Sequence, residues 1–231
     1  MSTFHFKEFT IEQSRSALKV GTDAMILGTL IPRGFSGMAL DIGTGTGVLS
    51  LMVAQNSPLL HITAAEIDQN SCLDAQANFF NSKFSSQLKV VESDFRNVEG
   101  TFDLIISNPP FYLNGLLPDD TLKSSAKHSD SLSLNELFSY VKQHLHENGE
   151  FWCIYPFEHK EQVVEIAKNS GLHVSIDYSV NSKIYTKSRV VLCFNHDRSE
   201  VENYELTIRK SNGEYTDEYK ELTKDFHGKK L

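Results

Sequence analysis

Cysteine is scarce in this chain, and its arrangement excludes more than its number does. The three cysteines, Cys72, Cys153 and Cys193, form no C-x-x-C pair and are odd in number. That argues against a disulfide framework or a zinc ribbon. They read as reduced core or near-core thiols, which points to the cytoplasm. There is no apolar run of about 18 residues, so no membrane-spanning helix is expected. The amino terminus lacks a basic head followed by an apolar stretch and does not read as a signal peptide. Positive charge is also short: 22 Lys and Arg stand against 30 Asp and Glu, for a net charge of −8 and a pI near 5.6. Broad, nonspecific nucleic-acid binding depends on many basic contacts and is disfavoured by this balance. A local basic patch is not excluded. The nine histidines lack metal-ligand spacing. His144 and His146 are two apart, so they fall on different faces of a helix, and no catalytic metal is expected. No internal repeat or low-complexity tract is visible.

What is present is an alternation of short apolar runs with longer helical ones from Gly37 onward, the mark of an α/β fold with a mainly parallel sheet. Strands are expected at residues 38–41, 61–66, 88–92, 102–107, 150–154, 172–178 and 189–194. Helices are expected at 22–30, 48–55, 69–82, 134–145 and 158–169. Ser133 and Glu136 have capping-box spacing. Gly149 and Gly171 follow expected helix ends. Residues 111–131 are polar and aperiodic, a length of loop that usually carries function. Residues 195–231 read as a strand or turn followed by a short helix.

The first chemical motif is Asp41-Ile42-Gly43-Thr44-Gly45-Thr46-Gly47. A strand leads into a glycine-rich turn and then into a helix, whose free N–H groups face the turn. A dinucleotide loop would have G-x-G-x-x-G spacing. Here the spacing is G-x-G-x-G, Val48 stands where the third glycine would fall, and an acid ends the strand. That pattern suits an amino-acid-bearing cofactor better than a pyrophosphate. Glu66, at the next strand end, is placed to meet two ribose hydroxyls. Asp94 could accept from an adenine amino group, with Phe95 beside the ring. Asp68 reads as a cap of the following helix. Each of these acids, taken alone, is equally an ordinary helix cap.

The second motif is Asn108-Pro109-Pro110-Phe111, at the end of the fourth strand. Paired prolines stop both helix and sheet and stiffen the turn. The Asn108 amide oxygen and the Pro109 carbonyl can then each accept one N–H of a planar amino group. That frees the nitrogen lone pair for attack, and Phe111 offers a stacking face.

Together the two motifs resemble those of amino-group methyltransferases acting on nucleic acids or on protein glutamine. A closer resemblance is to the bacterial tRNA1(Val) adenine N6-methyltransferases. It rests on residues 6–13, on Gly21-Thr22-Asp23 within residues 18–28, on 108–112, on Ile154-Tyr155-Pro156 and on Gly213-Glu214-Tyr215-Thr216. The resemblance implies a Rossmann-like class I methyltransferase with a mostly parallel seven-stranded sheet and helices on both faces. Residues 1–36 would cover the cofactor, and 37–231 would form the catalytic domain. S-adenosylmethionine would be the cofactor, and the substrate adenine position 37 of a valine tRNA. Gly21, Thr22 and Asp23 join Asp41, Gly43, Gly45, Gly47, Glu66, Asp94, Phe95 and Asn108 as implied cofactor contacts. Nothing in the sequence points to a membrane or to an obligate protein partner.

Where the family tends to have arginines after the catalytic turn, this chain has Lys123, Lys127 and His128. A lysine contacts phosphate without the bidentate fork. Tyr112 and Lys127 are candidate substrate contacts. So are Lys183, Lys187 and Arg189, which have Tyr185 between them. The same cluster is equally a solvated hairpin. Competing functions are release-factor glutamine N5-methylation, ribosomal-RNA guanine N2-methylation and an inactive cofactor-binding scaffold. The first disagrees with a first strand that begins near residue 38. The last disagrees with an intact Asn108 and intact glycines. A DNA-modifying enzyme would carry a sizeable recognition insert.

Overall fold

The computed structural model describes residues 3–17, 19–109 and 133–227. Strands β1 (Thr3–His5) and β2 (Thr10–Glu12) form an antiparallel hairpin, and α1 (Thr22–Leu30) follows. The chain then alternates β3 (Ser36–Ile42), α2 (Val48–Asn56), β4 (Leu59–Glu66), α3 (Gln69–Phe80), β5 (Leu88–Glu92) and β6 (Phe102–Ser107). After residues 110–132 come α4 (Leu134–His144), β7 (Leu145–Pro156), α5 (Lys160–Asn169), β8 (His173–Lys183), β9 (Thr186–Asn195), β10 (Glu202–Arg209) and α6 (Asp217–Thr223).

The main sheet runs β10-β8-β9-β7-β6-β3-β4-β5. Every neighbouring pair is parallel except the two that include β9. The sheet has eight strands rather than the seven expected. The extra one is β10, which adds to β8 in parallel, with Glu202 opposite Ile176 and Arg209 opposite Lys183. The 195–231 tail is thus a strand followed by the short helix α6, as its sequence suggests.

Period-two alternation divides the core. On β7, Trp152 and Ile154 face one layer while Phe151, Cys153 and Tyr155 face the other. On β9, Val191 and Cys193 oppose Val190, Leu192 and Phe194 in the same way. Residues of the first layer pack with α1, α2, α6 and the amino-terminal Phe6, Phe9 and Ile11; α4 and α5 supply the second layer. All three cysteines are free and buried, as their apolar settings imply.

Local signals account for most boundaries. Asp68 caps α3 by accepting from the Ser71 N–H at 2.8 Å. Ser133 caps α4 and accepts from the Glu136 N–H. Gly171, just beyond α5, has φ +81°. Gly149 differs from expectation. It lies inside β7, where pairing with β6 shifts between Leu145 and Glu150, and a Cβ there would meet the Phe102 carbonyl at 2.9 Å. Among the described residues no helix is long and apolar enough to cross a membrane.

The topology also places a site. From β3 the chain winds outward through β4 to β5, then returns to lay β6 on the other side of β3 and continues to β7. The connections therefore diverge between β3 and β6. In open α/β sheets a crevice opens beyond the carboxyl ends of the strands at such a point.

Candidate functional site

The crevice is built from β3 outward. Strand β3 ends at Ile42, and the Gly43 and Thr44 N–H groups both donate to the Ala65 carbonyl of β4, at 2.9 and 3.1 Å. Gly47 closes the turn at φ +80° and caps α2. A side chain there would be strained and would strike the Phe79 ring, so this position requires glycine. Ser107, at the end of β6, donates to the Ile42 carbonyl at 3.0 Å. That bond fixes the Asn108 turn against the glycine turn.

A cavity of about 600 Å³ results, within the ordinary range for a cofactor or small-molecule site. Its walls bring together Gly21, Thr22 and Asp23 from the start of α1, Gly43 and Gly45 from the glycine turn, and Asn108 with Pro109. Lys19, Val20, Thr44 and Thr46 also line it. They adjoin the expected motifs, and motif spacing singled out only the glycines. Pro110, Phe111, Tyr112 and Lys127 lie outside the described residues.

The acids take different places. Asp41 is fully buried beneath the turn, where its Oδ2 accepts from the Thr44 hydroxyl at 2.6 Å and from the Ser50 hydroxyl at 2.7 Å. Its Oδ1 is buried without a partner. Burial pushes its pKa up to about 6, against the opposing pull of the two hydroxyls. Glu66 accepts from the Gly45 N–H at 2.8 Å and from the Ile67 and Asp68 N–H groups at 2.9 and 3.0 Å. It is therefore bonded to the glycine turn and is not among the residues lining the cavity. Asp94 accepts from the Arg96 backbone N–H and guanidinium, which lower its pKa. Arg96 also bonds Glu136 at 2.7 Å. Phe95 packs edge-on against Tyr140, with ring centroids 5.1 Å apart. Neither Asp94 nor Phe95 lines the cavity of this structure.

The three basic candidates separate. Arg189 lines the cavity and donates through Nε to both Asp23 oxygens, at 3.1 and 2.9 Å. It is an ion-paired wall residue rather than one of a solvated trio. The cause is register: Arg189 lies opposite Pro156 at the carboxyl end of β7, facing the start of α1. Lys187 sits over the Phe157 ring, 4.6 Å from its centroid. Lys183 is exposed at the β8–β9 turn, next to Tyr185, which is 97% exposed and has φ +61°.

Sequence reasoning missed one network. On α3, Asp74 and Asn78 stand four residues apart and are both buried. Asp74 accepts from the Arg15 and Ser16 N–H groups at 2.9 and 2.8 Å and from the Arg15 guanidinium at 3.0 Å. Asn78 accepts from the Glu12 N–H at 2.8 Å and donates to the Glu12 and Thr46 carbonyls, both at 2.9 Å. One helix face thus fastens the amino-terminal segment to the glycine turn. Two polar residues at helical spacing read as a solvated face until the segment they bind is in place. Among the described residues, no group of three or more His, Cys, Asp or Glu could hold a metal ion.

Residues 13–169 match the family model of the methyltransferase small domain. Over 97% of its length the chain is 36% identical to a tRNA1(Val) (adenine(37)-N6)-methyltransferase of Pedobacter heparinus, and 37% identical to one of Christiangramia forsetii, covering 97% of each. Among solved structures, a predicted O-methyltransferase of Agrobacterium tumefaciens superposes with a TM-score of 0.69 at 16% identity, over 90% of this chain and 98% of that one. A methyltransferase of Pyrococcus furiosus superposes with a TM-score of 0.55 at 25% identity, over 74% of this chain and 80% of that one.

Proposed function

This chain belongs to the methyltransferase small-domain family, and within it to the tRNA1(Val) (adenine(37)-N6)-methyltransferases; on that premise we propose that it methylates N6 of an adenine in tRNA, at position 37 of a valine tRNA. The observation that carries the reading is one cavity in which Asn108 and Pro109 meet the glycine turn and the 21–23 segment.

The cavity suits the cofactor. Its volume accommodates a nucleoside carrying an amino acid, and the glycine turn leaves open space at Gly43 and Gly45, where a Cβ would meet nothing within 4 Å. The unpartnered Asp41 Oδ1 adds negative charge beneath that turn, which favours a cationic ligand. S-adenosylmethionine supplies an electrophilic methyl group when bound. Gly43 and Gly45 let the backbone approach it. Asp41 and Glu66 hold the turn in shape through their hydroxyl and N–H bonds, and residues 19–24 form the facing wall, with Asp23 kept in place by Arg189.

The amino group of an adenine is barely nucleophilic, because its lone pair is delocalised into the ring. Asn108, through its amide oxygen, and Pro109, through its carbonyl, accept one N–H each. Those two acceptors would favour a more tetrahedral nitrogen with its lone pair free for alkylation. Preorganised polar groups of this kind contribute roughly 3–4 kcal/mol each at the transition state. Alignment supplies most of the remainder. No strong base is needed, since an alkylated amino nitrogen would be cationic and acidic and would release its proton to solvent. Phe111 and Tyr112 offer rings for the flipped base, and Lys127 a phosphate contact.

Asn108→Ala should lower kcat about a hundredfold or more, by far more than it changes S-adenosylmethionine affinity. Product nucleosides from tRNA, separated by mass spectrometry, test the reading itself. N6-methyladenine is expected. N2-methylguanine would refute the adenine assignment, and full activity in Asn108→Ala would refute the mechanism.

A further inference from the structure

The Asp23–Arg189 pair is a partition with a cavity on each side. Beyond it lies a second hollow of about 440 Å³, between the β8–β9 turn, the end of β10 and the start of α1. It shares Thr22, Asp23 and Arg189 with the first cavity. Three of its lining residues are cations, Lys183, Arg189 and Arg209, and Asp23 is its single carboxylate. Arg189 is already engaged with that carboxylate. Lys183 and Arg209 form no ion pair among the described residues. In a chain of net charge −8, two cations left without carboxylate partners in one hollow are a local reversal of sign.

Their placement is set by the sheet. Strands β8 and β10 run parallel, with Lys183 opposite Arg209 at their carboxyl ends. That edge is the one at which β6 ends and Asn108 begins. From β6 the order continues through β7, β9, β8 and β10. Arg189, Lys183 and Arg209 therefore stand on successive strands, stepping away from the catalytic turn at about 4.8 Å per strand. Arg209 is also held rigid. Its Nη1 donates to the Gly213 carbonyl at 2.8 Å, and its guanidinium lies over Tyr215, 4.1 Å from the ring centroid. An arginine clamped by a carbonyl and a ring, facing a hollow with hydroxyls such as Ser188, is suited to a phosphate rather than to a carboxylate of its own chain.

We propose that this second hollow is a phosphodiester subsite for a nucleotide flanking the target base, with Arg209 and Lys183 as the phosphate contacts and Tyr215 as the residue that positions Arg209. The inference rests on the reading of the chain as a tRNA methyltransferase and adds the strand β10 to its substrate surface.

The test is binding of a labelled anticodon stem-loop of a valine tRNA to the full chain across a salt series, beside calorimetry with S-adenosylmethionine. Arg209→Gln and Lys183→Gln should each weaken RNA binding by roughly three- to tenfold. Each should also flatten the slope of log K against log salt by about 0.7 to 0.9. Cofactor affinity should stay within about twofold. Lys183 is on an exposed turn, so its variant keeps the test open if Arg209→Gln disturbs the tail. Unchanged RNA affinity and slope in both variants would overturn the proposal. So would a loss of cofactor affinity equal to the loss of RNA affinity. Adenosine 5′-monophosphate is the arm for a free nucleotide: an affinity for it that depends on Arg209, with RNA binding unmoved, also overturns the subsite. A wild-type protein whose RNA binding depends on both residues but which leaves no N6-methyladenine would refute the activity and spare the subsite.

Discussion

Asp41 and Tyr185 each occupy a setting that the side chain or the backbone ordinarily avoids. Asp41 has a pKa of about 6 instead of 3.8, because burial penalises its charge. The folded chain thus holds that proton more tightly than the unfolded one. The resulting stabilisation is complete below pH 3.8 and is lost as pH rises through about 6, a swing of about 3 kcal/mol. An asparagine side chain has no proton to lose in this range, so Asp41→Asn should remove that part of the decline. Urea unfolding of both proteins from pH 4 to 7 measures it, and parallel pH curves would contradict the assignment. Tyr185 has φ +61° and is 97% exposed. A left-handed backbone is unfavourable by roughly 1–2 kcal/mol for a residue with a Cβ. An exposed ring at a strained turn, beside Lys183, suits base stacking better than packing. Tyr185→Gly should leave the Tm unchanged or raise it, while the KM for tRNA rises severalfold. A KM equal to that of the wild type would leave the ring without a part in substrate binding.

Among the elements, α3 carries the structural surprise. Its Asp74 and Asn78 bind the 12–16 segment, and Asn78 also holds the Thr46 carbonyl of the glycine turn. The same segment leads through Lys19 and Val20 into the cavity wall. Asn78→Ala strips partners from three backbone groups, and buried groups left unpaired cost about 1–3 kcal/mol each. Stability should fall by about 3 kcal/mol or more, and the S-adenosylmethionine Kd should rise by an order of magnitude, because both the turn and its cover are loosened. Lowered stability with an unchanged Kd would mean that Asn78 fastens the fold without shaping the site. The α3 cap itself, Asp68, was readable because the interaction is local: side chain and N–H lie three residues apart. The α3–segment contact spans about sixty residues of sequence and has no local signature.

On the scale of the molecule, the sheet puts the larger cavity, the Asn108 turn and the cations along one edge. The cavity lies at the ends of β3 and β6, and the cations lie on β9, β8 and β10. A net charge of −8 keeps the remaining surface unattractive to nucleic acid. On the proposed reading, RNA would be drawn to the edge that carries the cavity and the cations.

Period-two apolar runs, capping residues and the spacing of Gly43, Gly45 and Gly47 depend only on neighbours in the chain. They therefore determined the α/β alternation, most helix starts and the position of the glycine turn. The turn at Asn108, which lines the cavity, was legible for the same reason, since paired prolines at a strand end are a local event. What the chain order could not contain is which side chain meets which across the sheet. Arg189 read as part of a basic hairpin until the pairing of β9 with β7 set it against Asp23. Asp94, expected beside an adenine amino group, is bonded to Arg96, which in turn bonds Glu136, a pairing across forty residues that local spacing does not encode. Arg209 carried no signal at all, because its meaning depends on β10 joining β8 in parallel. Ion pairing, desolvation and strand order are long-range, and only the folded arrangement decides them.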